Sequence, residues 1–388
     1  MDGSSRATDS REWLKELRAA LMKYNSAPYL FQEEKFNRGS ERMPPGLGLG
    51  PIAEMFGNLC RTYKEKMEEE NSLFKMKLHI DPSDGVELYS YEELNAMTNN
   101  FNKGNEIQET LFGKLYRGLV NGKTEVLIKT WEFILPPHRV FNDHPTRFIN
   151  EIEMLMGGDR HSTLMKLKGF CFQTVLAVVY DEKPTKFLSG DDLSVENFGL
   201  DKRLYVATQF AKLVVWMHER HISCGFIRLD KVMFDEDFNI KVFDFGFIAH
   251  FSEADNKYAI VDVALSIDAY EVYDGIRTKK SDVYVFGVLL ADVFTINAQG
   301  NIGSRFVWLV GTVQGGDKKV VDKALVQVGH EDLANSLNSL IVACMKVKPD
   351  ERPNMRGVLA CLLSLSKQRK RGLNTMGAQG LQILLRDE

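Results

Sequence analysis

Three ionisable residues stand at spacings that phosphoryl transfer uses. Lys129 ends the strand-like run Val126-Leu127-Ile128-Lys129, Glu151 follows 22 residues later in a helical pattern, and Asp244 opens the triplet Asp244-Phe245-Gly246. The transfer needs a glycine-rich lid over the phosphates, a lysine to position them, ligands for Mg²⁺, and a group that accepts or orients the attacking hydroxyl. Lys129 answers to the positioning lysine and Glu151 to its ion-pair partner, although a lone lysine ending a strand is usually just solvated. Asp244 answers to the metal carboxylate. One carboxylate is a poor magnesium site unless a nucleotide supplies the other oxygens. Of the lid pattern Gly-x-Gly-x-x-Gly only Gly113 stands, with Gln108 and Thr110 at the first two places. Side chains there hinder the approach of backbone N–H groups to phosphate, so a plain β-hairpin is the better reading. Leu127 lies on the strand face of Lys129, where a branched side chain crowds the place of an adenine ring.

The proton acceptor is missing from its place. Counting back from Asp244 without a gap, the pattern His-Arg-Asp-Leu-x-x-x-Asn that carries the base and a second metal ligand falls on Cys224, Gly225, Phe226 and, at its Asn, Lys231. Phe226 accepts no proton in any rotamer, so no catalytic residue is expected. Lys231 puts a cation where a cation should be held; its ammonium either sits on a phosphate in the metal's stead or is solvated. A slipped register offers Asp230 but breaks the spacing of 18 residues to Asp244. Gly225 replaces the arginine that reads a phosphorylated loop, so phosphate on Ser252, Tyr258 or Ser266 is not read in the usual way. Three further residues have structural readings. Asp282 is expected to open a helix, cap its N–H groups and brace the neighbouring loop. Arg352 is expected to pair with Glu271, and Gly246 closes the triplet.

The elements that must position these residues are legible in outline. Asp9–Tyr24 has the pattern of an amphipathic helix, Pro44–Pro51 of a linker, and the stretch from Ile52 to Glu70 of a helix-like charged segment whose Glu68-Glu69-Glu70 run reads as a solvated face. A helix is expected over Tyr91–Phe101, a hairpin over Leu111–Lys129 turning at Asn121-Gly122, a helix over Arg147–Met156 and two strands over Phe170–Tyr180. Helices follow over Leu204–His218, Ser281–Phe294, Asp332–Met345 and Asn354–Ser366. An α+β chain is expected, with a small strand-rich part before a larger helical one. The boundaries expected are 1–60 for an extension, 61–88 for a charged leader, 89–180, 181–366, and 367–388 for a basic tail, read as solvated. With 388 residues, 44% of them hydrophobic, a full core is available. A net charge of −4 argues against nucleic-acid binding, and five cysteines without paired spacing read as reduced thiols rather than a zinc site. The Met-Asp start excludes N-myristoylation, and no apolar run is long enough to span a bilayer, so a soluble intracellular chain is expected.

Tyr89 to Ser366 resembles the kinase domain of plant receptor-like kinases. The runs YSYEELNAMTNNF, RFINEIEML, LDKVMFDEDFNIKVFDFG, TKKSDVYVFGVLL and DERPNMRGVL are similar to the wall-associated kinase branch. The resemblance implies a bilobal protein-kinase-like fold, with a β-rich N-lobe and an α-helical C-lobe. It also implies a receptor-like cytoplasmic kinase, and the lost base makes the chain similar to pseudokinase members such as the hopZ-ETI-deficient-related kinases. That group implies an adaptor in plant defence, linking other protein kinases to an intracellular leucine-rich-repeat immune receptor. A cytoplasmic place is implied, with the plasma membrane reached through partners. Three functions stay open: a catalytically dead adaptor, a weak Ser/Thr kinase, and a switch that binds ATP without transfer. Lys129, Glu151, Asp244 and Gly113 are the nucleotide-binding candidates, with Mg²⁺ on Asp244 if ATP binds and no cofactor if it does not.

Overall fold

The computed structural model describes residues 85–110, 113–131, 144–156, 160–172, 175–183, 186–187, 198–225, 228–229, 232–250, 269–273, 277–295, 309–313, 320–325 and 331–384. The expected helix Asp9–Tyr24, the linker Pro44–Pro51, the charged stretch to Glu70, and Ser252, Tyr258 and Ser266 lie outside these residues. So do Phe226, Asp230 and Lys231. Two compact units divide the chain: Met1–Arg160 with Met165–Pro184, and His161–Leu164 with Thr185–Glu388.

The first unit is built on a six-stranded sheet in the order β1-β5-β6-β4-β3-β2. Its strands are β1 (Glu87–Leu88), β2 (Glu106–Thr110), β3 (Gly113–Val120), β4 (Thr124–Trp131), β5 (Leu167–Phe172) and β6 (Leu176–Tyr180). Among the described residues of this sheet only the β1–β5 pairing is parallel. The expected hairpin turns at Asn121 and Gly122, both left-handed at φ 52° and 66°, which matches the right-handed twist of the strands it joins.

Alternation along β4 sorts its side chains onto two faces. Val126 and Ile128 join Tyr116, Cys171, Ala177 and Val179 in a core that Tyr89 and Leu94 close from the N-terminal side. Leu94 belongs to helix α1 (Tyr91–Thr98), which Ser90 and Glu93 start with a capping box. Left-handed Asn99 and Asn100 stop it. Leu127, Lys129 and Trp131 take the other face. There helix α2 (His144–Met156) sets the Phe148 ring edge-on to Trp131 at 5.6 Å and to Phe170 at 6.1 Å.

The second unit is helical around α5 (Lys279–Phe294), whose residues from Ser281 to Ala291 are all buried. A helix apolar nearly all round belongs in a core, and α5 is that core. Around it stand α3 (Leu200–Glu219), α6 (Glu331–Cys344) and α7 (Met355–Leu384), with the short α4 (Tyr270–Tyr273) ahead of α5. Helix α7 continues well past Ser366, where the sequence pattern ends, and carries the basic run that was expected as a solvated tail. Arg369 within that run is 7% exposed, with Nε 3.4 Å from the Asp201 carboxylate of α3. A second-unit sheet of β7 (Lys186–Phe187), β9 (Val232–Phe234) and β10 (Ile240–Val242) and a ribbon of β8 (Ile222–Ser223) with β11 (Ala249–His250) fix the chain on both sides of Asp244.

Candidate active site

Lys129 lies on β4 opposite Leu115 of β3 and Val178 of β6. It is fully buried, and its ammonium sits 4.0 Å from the centroid of the Trp131 ring, two residues along the same face. A cation over an indole face is attracted by the ring quadrupole, so the indole stabilises the buried charge. Glu151, in the middle of α2, is equally buried and accepts a 2.7 Å hydrogen bond from the Tyr180 hydroxyl. Tyr180 itself stands opposite Leu127 across β4–β6. Sequence reasoning missed Tyr180. The available signal was a lone hydroxyl ending an apolar strand, which a buried position obliges to find a partner.

Gly113 opens β3 at φ 153°, and a Cβ there would fall 1.9 Å from the Thr130 carbonyl oxygen. This glycine is therefore required by the approach of β3 to β4. Gln108 and Thr110 lie within β2, paired with Leu115 and Gly113, so the two outer lid places are residues of an antiparallel strand pair.

In the second unit Asp282 holds the loop. Its carboxylate accepts from the Cys224 and Gly225 backbone N–H groups at 3.0 Å each, and from Ser223 Oγ at 2.8 Å, while His218 Nε2 lies 2.8 Å away. Burial alone would raise its pKa. The hydrogen bond and charge of His218, with Arg277 and Ser223, outweigh it and hold the carboxyl below the usual range. The expected helix cap needs correction. Thr278 is the N-cap of α5, forming a capping box with Ser281, and Asp282 lies one residue beyond that box. A hydroxyl at the helix entry satisfies the first N–H groups, which leaves the Asp282 carboxylate to the loop.

Asp244 is 4% exposed, with its backbone left-handed at φ 69°. That conformation costs a non-glycine residue energy and persists only where its surroundings impose it. β10 precedes it and β11 follows it, and the Ile248 N–H donates to the Phe245 carbonyl at 3.1 Å across Gly246. Arg352 meets Glu271 in a forked pair, Nη1 to Oε1 at 2.6 Å and Nη2 to Oε2 at 2.9 Å. It also donates to the carbonyls of Lys346, Val347 and Lys280. Burial would push the Glu271 carboxyl up, but Arg352 and Ser281 hold it below its ordinary value.

The structure thus brings Glu151 into the same unit as Lys129 and Gly113, and Asp244, Gly246, Asp282 and Arg352 into the other. Among the described residues no group of three or more His, Cys, Asp or Glu side chains is placed to hold a metal ion. No helix among them is long and apolar enough to cross a membrane.

Comparison with known proteins agrees with this architecture. The family model of protein tyrosine and serine/threonine kinases matches residues 101–362. A PTI1-like tyrosine-protein kinase of Arabidopsis thaliana is 26% identical over 323 residues, covering 76% of this chain and 84% of its own length. Cysteine-rich receptor-like protein kinase 27 of the same plant is 24% identical over 81% of this chain and 50% of its own. A probable leucine-rich-repeat receptor-like serine/threonine-protein kinase, also of Arabidopsis, is 26% identical over 69% of this chain and 27% of its own. The chain therefore spans half or less of these two receptor-type relatives. With plant receptor-like kinases as its relatives at low identity, the chain belongs to the protein tyrosine and serine/threonine kinase family.

Proposed function

We propose that this chain is a pseudokinase that works as a signalling adaptor, presenting a kinase-shaped surface to other proteins in place of turnover. The observation that carries the reading is Phe226 at the place of the catalytic base. That place is set by the gapless count to Asp244 and follows directly on Cys224 and Gly225, whose N–H groups Asp282 holds. Loss of a general base costs about 10²–10⁴ in rate. Lys231 at the second metal place and the strand residues Gln108 and Thr110 at the lid places point the same way.

The fit to ATP with Mg²⁺ is poor. Leu127 and Lys129 are both 0% exposed, so neither offers surface to a ring or a phosphate in this arrangement. Asp244 brings one carboxylate, and the residue at the second ligand place is a lysine, whose charge opposes a metal ion. No transfer step is therefore assigned to the chain. The retention of Lys129, Glu151 and Asp244 supports one second reading, a switch that binds ATP without transfer.

The resemblance to the hopZ-ETI-deficient-related kinases within the wall-associated-kinase-like branch supports a role in plant defence. The proposed partners are other protein kinases and an intracellular leucine-rich-repeat immune receptor, met in the cytoplasm or at the plasma membrane through those partners. The test is phosphoryl transfer by the purified full chain with ATP and Mg²⁺, toward itself and a general protein substrate. The expected result is transfer no greater than that of the Asp244→Ala variant. Clear turnover that Asp244→Ala abolishes overturns the proposal.

A further inference from the structure

Arg277 lies one residue before the N-cap of α5, a position at which the family pattern assigns no role here. Arg277 is 6% exposed, and its Nη1 donates to the Phe247 carbonyl at 2.8 Å. Phe247 directly follows the Asp244-Phe245-Gly246 triplet, so this bond holds the first residue of the segment that leaves it. The corner that admits the guanidinium is made by Gly225. At φ 68° that glycine adopts a left-handed backbone, and a Cβ on it would lie 2.4 Å from the Phe247 oxygen and 2.5 Å from Arg277 Nη1. Any side chain at 225 therefore competes with Arg277 for the same space. The corner is braced from below and beside. Asp282, five residues after Arg277, accepts the Gly225 N–H at 3.0 Å, and its buried negative charge attracts the guanidinium. β8 and β11 pair Ser223 with Ala249 and Ile222 with His250, two residues either side of the contact.

We propose that Arg277 and Gly225 form a reciprocal pair that pins the start of the segment after the triplet by a built-in guanidinium, independently of phosphorylation. The ordinary device is an arginine in the loop itself, which orders that segment only when a phosphate arrives to pair with it. Here glycine stands at the loop place, and a cation from the neighbouring element fills the corner permanently. Its counter-charge is Asp282, and its hydrogen bond goes to a backbone carbonyl, so neither needs a modification. A charge-assisted bond to a partly buried carbonyl is stronger than a neutral one, which suits a fixed clamp better than a switch. Arg277 is a positioning residue. Its role is the same whether or not the chain transfers phosphate.

The test is hydrogen exchange on the full chain, read in peptides covering residues 245–250 and, as an internal reference, α6. Arg277→Met keeps the stem and removes the guanidinium. It is expected to speed exchange at Ile248, Ala249 and His250 by about tenfold or more, the weight of one charge-assisted hydrogen bond, with α6 unchanged. Gly225→Ala is expected to do the same, because its Cβ displaces the Phe247 carbonyl as well as the guanidinium. Phosphatase treatment of the unaltered chain is expected to leave these amides as they were. Unchanged exchange in a folded Arg277→Met protein overturns the proposal, as does loss of protection on phosphatase treatment alone. If Arg277→Met fails to fold, Arg277→Leu, shorter and equally without the guanidinium, is read by the same criterion, and unaltered exchange in it overturns the proposal.

Discussion

The Tyr180 hydroxyl donates to Glu151 Oε1 at 2.7 Å, joining the last residue of β6 to the middle of α2. Both side chains are fully buried, so neither polar group falls back on bulk water. Beside them Leu127 stands directly opposite Tyr180, and Lys129 lies against the Trp131 ring. Such an arrangement suits a scaffold, because it leaves Lys129 and Leu127 with no exposed surface for a nucleotide to use.

The hydroxyl can be removed with little change of shape. Tyr180→Phe keeps the ring and leaves the Glu151 oxygen buried with one donor fewer, which costs about 1–3 kcal/mol. Urea unfolding is expected to show a lower midpoint with an unchanged slope, the mark of lost stability rather than altered compactness. A midpoint equal to that of the unaltered chain would mean that the bond contributes nothing.

Acid should act mainly on the second unit. Glu271 and Asp282 have pKa values held below their ordinary 4.5 and 3.8, against the opposing effect of burial, by Arg352 and His218 respectively. For a carboxyl depressed on folding, the unfolded chain binds more protons, so stability rises with pH across its titration. The contribution is complete above those ordinary values and is lost as pH falls through the folded ones. A stability profile from neutral pH downward should therefore stay level until about pH 5 and then drop. Glu271→Gln should lower the plateau and flatten the drop, because the glutamine does not titrate. Arg352→Met should cost more, about 3–5 kcal/mol, since it strands a carboxylate against a half-buried site. A Glu271→Gln profile as steep as the original sinks the assignment.

What the sequence made legible follows the range of each interaction. The helix expected from Tyr91 and the Asn121-Gly122 turn rest on residues within a few positions of one another, and both are present. Strand alternation placed Lys129 and Leu127 on one face of β4. Contacts across many residues left no local trace. Tyr180 reaches Glu151 over 29 positions, and the Asp282 carboxylate takes the Gly225 N–H over 57. The N-cap of α5 was misplaced because an aspartate and a threonine are both good caps, and only the loop's demand for an acceptor separates them. The extent of α7 was missed because the apolar pattern fades after Ser366, while the Asp201–Arg369 pair that holds the next turn joins residues far apart in sequence.

A nucleotide titration separates the adaptor from the ATP-binding switch. A ligand that binds only the folded chain raises its stability by about 2.7 kcal/mol at one hundred times its dissociation constant, a shift of a few degrees in melting temperature. With Leu127 and Lys129 withdrawn from solvent, millimolar ATP with Mg²⁺ is expected to leave the melting temperature of the full chain unchanged. Lys129→Ala removes a buried ammonium together with its contact to Trp131, so it is expected to lower stability in the absence of nucleotide. The two effects are independent in an adaptor. If ATP raises the melting temperature and Lys129→Ala abolishes that rise, Lys129 binds phosphate and the switch reading replaces the adaptor. A rise that survives Lys129→Ala points to nucleotide held without Lys129, and it replaces the adaptor reading with an ATP-binding one in which Lys129 has no part. Only a flat titration, alongside a Lys129→Ala variant that is folded but less stable, leaves Lys129 as a structural cation.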